Sequence, residues 1–400
     1  MKLLVSSLAL LPLLALPSLA LPQGVAPSAA LSAAPTREAL VELAFEAVSA
    51  MPEVPHARNR CRAQASIVQA ALELDLCAQA ERVALAITDW RKTQALADIA
   101  LQHARKGRVD EAKRVLALAE ASTIPGTQEW HDERVRSHLA AAHHWLGDDA
   151  AVARLTQGVG EAELGAVQVV VASRSSLEQF DGRFELLRAT AKNGGFDALK
   201  CSLETAVELH RVAGADAARR EKVEMLVKSS WEKLPLDVRT SLLRRLAENC
   251  LASGDRAGAV RELDEAQALV DNNRWLPEDH IAQIAAIARL RHAAGETERA
   301  RRDIAGVLGL FERERDKMVD IYRAGALRAV AESQQALGDS AAALATFARA
   351  VEEGVANPNS RPRADDLAAT LCALARSGAS PDEALFARLR QVRAALGDPW

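Results

Sequence analysis

The chain has 400 residues, of which 49% are hydrophobic but only 4% aromatic, with 21 glycines, 14 prolines and a formal net charge of −4. Apolar content on this scale fills a large core, and because alanine and leucine carry it the composition favours helices over strands. The mildly acidic balance excludes the basic footprint expected of a nucleic-acid binder.

Met1–Ala20 reads as a secretory signal. Lys2 supplies the charged start, Leu3–Leu16 the apolar stretch, and Pro17-Ser18-Leu19-Ala20 a small-residue cleavage site near Ala20. The run is too short and too proline-broken for a good membrane span, and no later segment approaches 18 consecutive apolar residues. The expectation is an exported chain, periplasmic or secreted, without a span after cleavage. Residues 21–36 (LPQGVAPSAALSAAPT) form a Pro/Ala/Ser linker expected to be disordered. Thr36 can cap a first helix over 37–51, which the pair Pro52 and Pro55 should stop.

Residues 37–400 are then organised by a recurring register. Candidate helix turns fall at Asp75, Gly107, Gly147, Gly254, Gly295, Gly338 and Gly378, with Gly195 as a weak turn between Gly147 and Gly254. Seven residues before a turn stand Ala100, Ala140, Ala247, Ala288 and Ala331. Five residues after it stand Ala112, Ala259, Ala300 and Ala343, with Val152 in the Gly147 unit. Antiparallel helices joined by a tight turn approach closely only where both side chains are small, and glycine supplies the left-handed conformation that ends the first helix.

This spacing of small residue, turn glycine, alanine and bulky apolar resembles the tetratricopeptide repeat. The resemblance is clearest over 93–122, 241–270, 281–310 and 325–354, and weaker over 62–87, 133–159 and 365–396. The turns are irregularly spaced against the family period of about 34 residues, and the early aromatic of the first helix is missing. The resemblance implies an all-α, right-handed superhelical solenoid of about seven to eight helix-turn-helix repeats. Within it, residues 158–235 form an irregular middle. There Ala166–Ala172 (AVQVVVA) reads as a buried helix rather than a strand, and 184–192, 197–213 and 217–233 as further helices.

Cys61, Cys77, Cys201, Cys250 and Cys372 show neither CxxC nor metal-ligand spacing, and most of them read as buried small hydrophobes. His103 and His143 each lie four residues before a turn, followed by His144 and Trp145, and Cys250 takes the equivalent place further along. Stacked repeats could bring the two imidazoles together, but zinc needs three or four ligands, so packed histidines and no metal are expected. HExxH, GxSxG, P-loop and GxGxxG motifs are absent, and neither catalysis nor a cofactor is expected.

The resemblance places a concave partner-binding surface on the first helices. Its candidate residues are Gln94, Arg105, Arg134, His144, Trp145, Arg244, Glu248, Arg289, His292, Arg328, Glu332 and Gln335. A row of arginines on an acidic chain suits a protein or peptide partner that is itself acidic. The alternative is a solvated face in which the arginines pair with neighbouring acids. The functional expectation is an exported, non-catalytic scaffold. A structural or chaperone-like component of an envelope assembly or export complex is the alternative.

Overall fold

The computed structural model describes residues 35–124 and 128–400. The expected signal at 1–20, and the linker except for its last two residues, lie outside them. Among the described residues the secondary structure is helical. In chain order the helices are α1 (Arg37–Ser49), α2 (Glu53–Glu73), α3 (Cys77–Leu85), α4 (Arg91–Arg105), α5 (Val109–Ala121), α6 (Glu129–Leu146) and α7 (Asp149–Thr156). Then come α8 (Gly165–Ser173), α9 (Phe180–Asn193), α10 (Phe196–Ala213), α11 (Ala217–Ser230), α12 (Leu236–Ala252) and α13 (Arg256–Asp271). The last are α14 (Pro277–Ala293), α15 (Thr297–Glu314), α16 (Asp320–Ala336), α17 (Ser340–Val355), α18 (Ser360–Ser377) and α19 (Glu383–Ala394).

The helix ends follow from local chemistry. Thr36 accepts a hydrogen bond from the Ala39 amide at the start of α1. At Gly147, Gly254 and Gly338 the backbone turns left-handed, with φ of 82°, 81° and 83°. Each glycine is followed by an aspartate that caps the next helix: Asp148 on the Ala151 amide at 3.0 Å, Asp255 on Gly258 at 2.7 Å, Asp339 on Ala342 at 3.3 Å. The amide of each aspartate also donates back to a carbonyl of the finished helix, namely that of His143, Cys250 or Gln334. One Gly-Asp dipeptide therefore closes the first helix and opens the second. Asp75 adopts the same left-handed turn without glycine, at φ 58°.

The alanine register is the packing register. Ala100, Ala140, Ala247, Ala288 and Ala331, and their partners Ala112, Ala259, Ala300 and Ala343, are all fully buried. Helices pair as α2 with α3, α4 with α5, α6 with α7, α12 with α13, α14 with α15 and α16 with α17. In the irregular middle α8 packs between α6 and α10, confirming the helical reading of 166–172, while α9 and α11 both pack on α10. Gly195 does not end a helix there. Its φ is −68° and it caps the start of α10, while the left-handed glycine of that unit is Gly214, at φ 55°.

The C-terminal unit departs from the expected hairpin over 365–396. The principal partner of α18 is not α19 but α1, from the other end of the chain. The even-numbered helices from α2 to α18 each touch the next, and α18 also touches α2, so the inner layer is a closed circuit. One continuous apolar core accordingly holds Leu40, Val41 and Val48 of α1 together with Leu367, Leu371 and Leu374 of α18 and Phe347 of α17. An open repeat array leaves apolar faces at both ends that need polar caps. Here each end covers the other.

Candidate functional site

Closure of the circuit turns the first-helix surface inward, and the C-terminal ends of several inner helices converge there. A cavity of about 590 Å³ is lined by Glu73 and Leu74 of α2, Arg289 of α14, Glu332 and Ala336 of α16, and Arg376 and Ser377 of α18. Arg376 holds it together, 3.4 Å from Glu332 and 3.6 Å from Glu73.

The candidate residues divide by what they touch. Arg134 forms two contacts to Glu163, at 2.6 and 3.1 Å, and lies over the Trp130 ring. Arg328 is held 2.9 Å from Asp366, and both side chains are largely buried. These two arginines are structural clamps. His292 bonds Thr297 at 3.0 Å, and Glu332 is taken by Arg376. His144 has its carbonyl bonded by Arg174, and burial followed by the field of Arg174 lowers its imidazole pKa. Gln94 is half-buried on α4, and Gln335 is half-buried on α16 with a carbonyl oxygen that has no partner.

Arg105, Arg244 and Arg289 are different: no ion pair engages any of them among the described residues. Arg105 lies 5.4 Å from the centre of the Trp145 ring, which Arg174 also approaches, at 5.2 Å. Solvent reaches Arg105, yet the protein around it lowers its pKa by desolvation, and it feels the charge of Glu208 on α10. Arg244 is half-buried, with its Nε sealed from water and lacking a partner. Desolvation is the main reason that its pKa is lowered; Glu248 opposes the shift and the like charge of Arg289 adds to it. Arg289 and Glu248 are exposed. Arg244 thus carries guanidinium charge in poorly solvated surroundings with no ion-pair partner among the described residues.

Sequence reasoning missed Glu73 and Arg376, because nothing local shows that α18 and α2 meet. It also noted only part of a second pattern. Four residues before Gly107, Gly147, Gly214, Gly254, Gly295 and Gly338 stands a polar or sulfur-bearing side chain: His103, His210, Cys250, Arg291 and Gln334 are buried there and His143 is half-buried, whereas Ala71 and Leu374 fill the place at Asp75 and Gly378. At Arg291, which is fully buried, Asp264 at 3.0 Å and Glu296 at 2.7 Å compensate the charge. Taking Gly195 instead of Gly214 as the turn hid His210 from this series. All five cysteines are free and buried.

No protein-family model and no curated protein matches the chain. Among solved structures it is similar to one described as a circular tandem repeat protein with novel repeat topology and enhanced subunit contact surfaces. The identity is 17%, over 90% of this chain and 94% of that one, with a TM-score of 0.21. The paired helices define the class: an all-helical tandem repeat protein. No helix among the described residues is long and apolar enough to cross a membrane.

Proposed function

We propose that the chain is an exported, non-catalytic scaffold of tetratricopeptide-like repeats that holds an acidic peptide or protein segment against the inner face of its helix circuit. The observation that carries this reading is Arg244, a guanidinium crowded by protein, with a partnerless Nε and a second unpaired arginine, Arg289, near enough to perturb it. An unmatched charge in such a place is unfavourable until an anion arrives, and carboxylates suit the guanidinium fork. Arg105 on its Trp145 platform extends the same preference along the interior. Export rests on the reading of Met1–Ala20 as a signal.

The test is binding of a fluorescent Asp/Glu-rich peptide by anisotropy. Replacing Arg105, Arg244 and Arg289 together by alanine should weaken binding by about tenfold or more, the equivalent of 1.4 kcal/mol. Replacing the exposed outer arginines Arg188 and Arg301 should not. Equal affinity of the inner triple variant and the parent sinks the proposal.

A second reading, a component of an envelope assembly that acts through its outer face, is favoured by a different feature. Leu186, Phe196 and Met225 are 67%, 50% and 57% exposed around α9–α11. Exposed large apolar side chains on mutually packed helices are the kind of feature that association surfaces use. Polar replacement of these three residues should abolish assembly on that reading and leave peptide capture intact on the first.

A further inference from the structure

His210 of α10, Glu224 of α11 and Cys250 of α12 offer ligand atoms that all lie within 4.8 Å of one another. His210 and Cys250 take the same place, four residues before the left-handed glycines Gly214 and Gly254 of consecutive units. Stacking of the repeats therefore brings them together, and Glu224 reaches in from the intervening second helix. His210 Nε2 is 3.1 Å from Glu224 Oε1, while its Nδ1 is buried without a partner. The Cys250 sulfur is fully buried and has no hydrogen-bond partner among the described residues.

We propose that these three side chains form a binding site for a zinc-class divalent cation, with water as the fourth ligand. One imidazole, one thiolate and one carboxylate is a donor set that Zn²⁺ accepts, and tetrahedral bonds of about 2.0–2.3 Å place ligand atoms roughly 3.5 Å apart. The His210–Glu224 pair is already within that separation, and the Cys250 sulfur lies within 4.8 Å of both partners. Glu224, Asp255 and Glu262 all act on the Cys250 sulfur; Arg220 engages Asp255 at 2.7 Å and the Gly214 carbonyl, and Lys228 engages Glu262 at 2.8 Å, which leaves Glu224 as the carboxylate without a lysine or arginine partner at bonding distance among the described residues. On binding, Cys250 gives its proton to solvent. Glu224 is the partly exposed member of the set and marks the way in. The site would clamp α10, α11 and α12 together beside the stretch where α8 and α9 fail to pair.

The experiment is titration of the untagged, metal-stripped full chain with Co²⁺ as the spectroscopic probe, and with Zn²⁺ in thermal melts. One Co²⁺ per chain should give thiolate-to-metal charge-transfer absorption that Zn²⁺ displaces, and Zn²⁺ should raise Tm. Cys250→Ser should abolish the charge-transfer band. Glu224→Gln, on the exposed side and least disturbing to the fold, should weaken Co²⁺ binding about tenfold or more. Absence of a thiolate band in the parent overturns the proposal, as does a band that survives in Cys250→Ser or an unchanged affinity in Glu224→Gln.

Discussion

Arg376 Nε on α18 lies 3.6 Å from Glu73 Oε2 on α2, joining the last inner helix to the first. The same seam is held by apolar contact between α1 and α18 and by Arg393, 3.6 Å from Glu46. The two ion pairs are partly exposed, and each contributes little by itself. The apolar core across the seam carries most of the closure.

Leu40 of α1 is 2% exposed within that core. Leu40→Ala should destabilise the protein by about 2–5 kcal/mol, measured by urea unfolding. Small-angle scattering of the variant at moderate urea should show expansion before the helix signal is lost. A change below about 0.5 kcal/mol would mean that α1 contributes nothing to closure.

The alanine register predicts intolerance to size. Ala331→Leu and Ala343→Leu, both at fully buried positions, should each lose about 1–3 kcal/mol through overpacking. Thermal melts that match the parent would show that the helices of this hairpin can move apart freely.

Arginines already committed to structure should behave unlike unpaired ones. Arg328→Ala leaves Asp366 largely buried without its partner and should cost about 3 kcal/mol. Arg289→Ala, at an exposed site, should stay within about 0.5 kcal/mol of the parent. Chemical denaturation of both variants checks the contrast.

Arg244→Met exchanges an unmatched, desolvated charge for a side chain of similar length. Stability should rise by about 1 kcal/mol while capture of acidic peptide falls. Destabilisation together with undiminished binding would show Arg244 to be an ordinary packing residue.

The acid limb of stability should carry opposite signs at two carboxylates. The hydrogen bond from Arg114 lowers the pKa of Glu81, so its contribution is present above the ordinary glutamate range and is lost as pH falls through the folded value. Burial raises the pKa of Asp366 despite Arg328, so its contribution is greatest below the ordinary aspartate value of 3.8 and diminishes as pH rises through the folded one. Glu81→Gln should flatten the loss of stability on acidification, and Asp366→Asn should make it steeper. Urea midpoints between pH 3 and 6, a window that brackets the ordinary carboxylate range, measure both slopes.

Much of the architecture is legible in the sequence because it is local. The Gly-Asp dipeptides at 147–148, 254–255 and 338–339 set the turns, and alanines at fixed distances from them allow the helices to touch. Closure is not local: Leu40 and Leu371 look like any apolar helix residues, and only the assembled circuit shows that α1 completes the unit begun by α18. The middle was misread at Gly195, because a glycine that starts a helix and one that ends it look alike without dihedral angles. For the candidate site, the register named Arg105, Arg244 and Arg289 among the first-helix candidates, but it carries no information on which arginines find an acid partner. It could not foresee that Asp366 and Glu163, from neighbouring elements, would take Arg328 and Arg134.

Closure underlies both the sealed core and the inward-facing arginines, and cross-linking across the seam tests it most directly. With the five native cysteines buried, cysteines introduced by Glu73→Cys and Arg376→Cys should be the reactive pair toward a short bis-maleimide. The account predicts rapid cross-linking within single chains at high dilution, seen as a compact monomer band on denaturing gels. Absence of an intramolecular product, or cross-links only between chains, would contradict it.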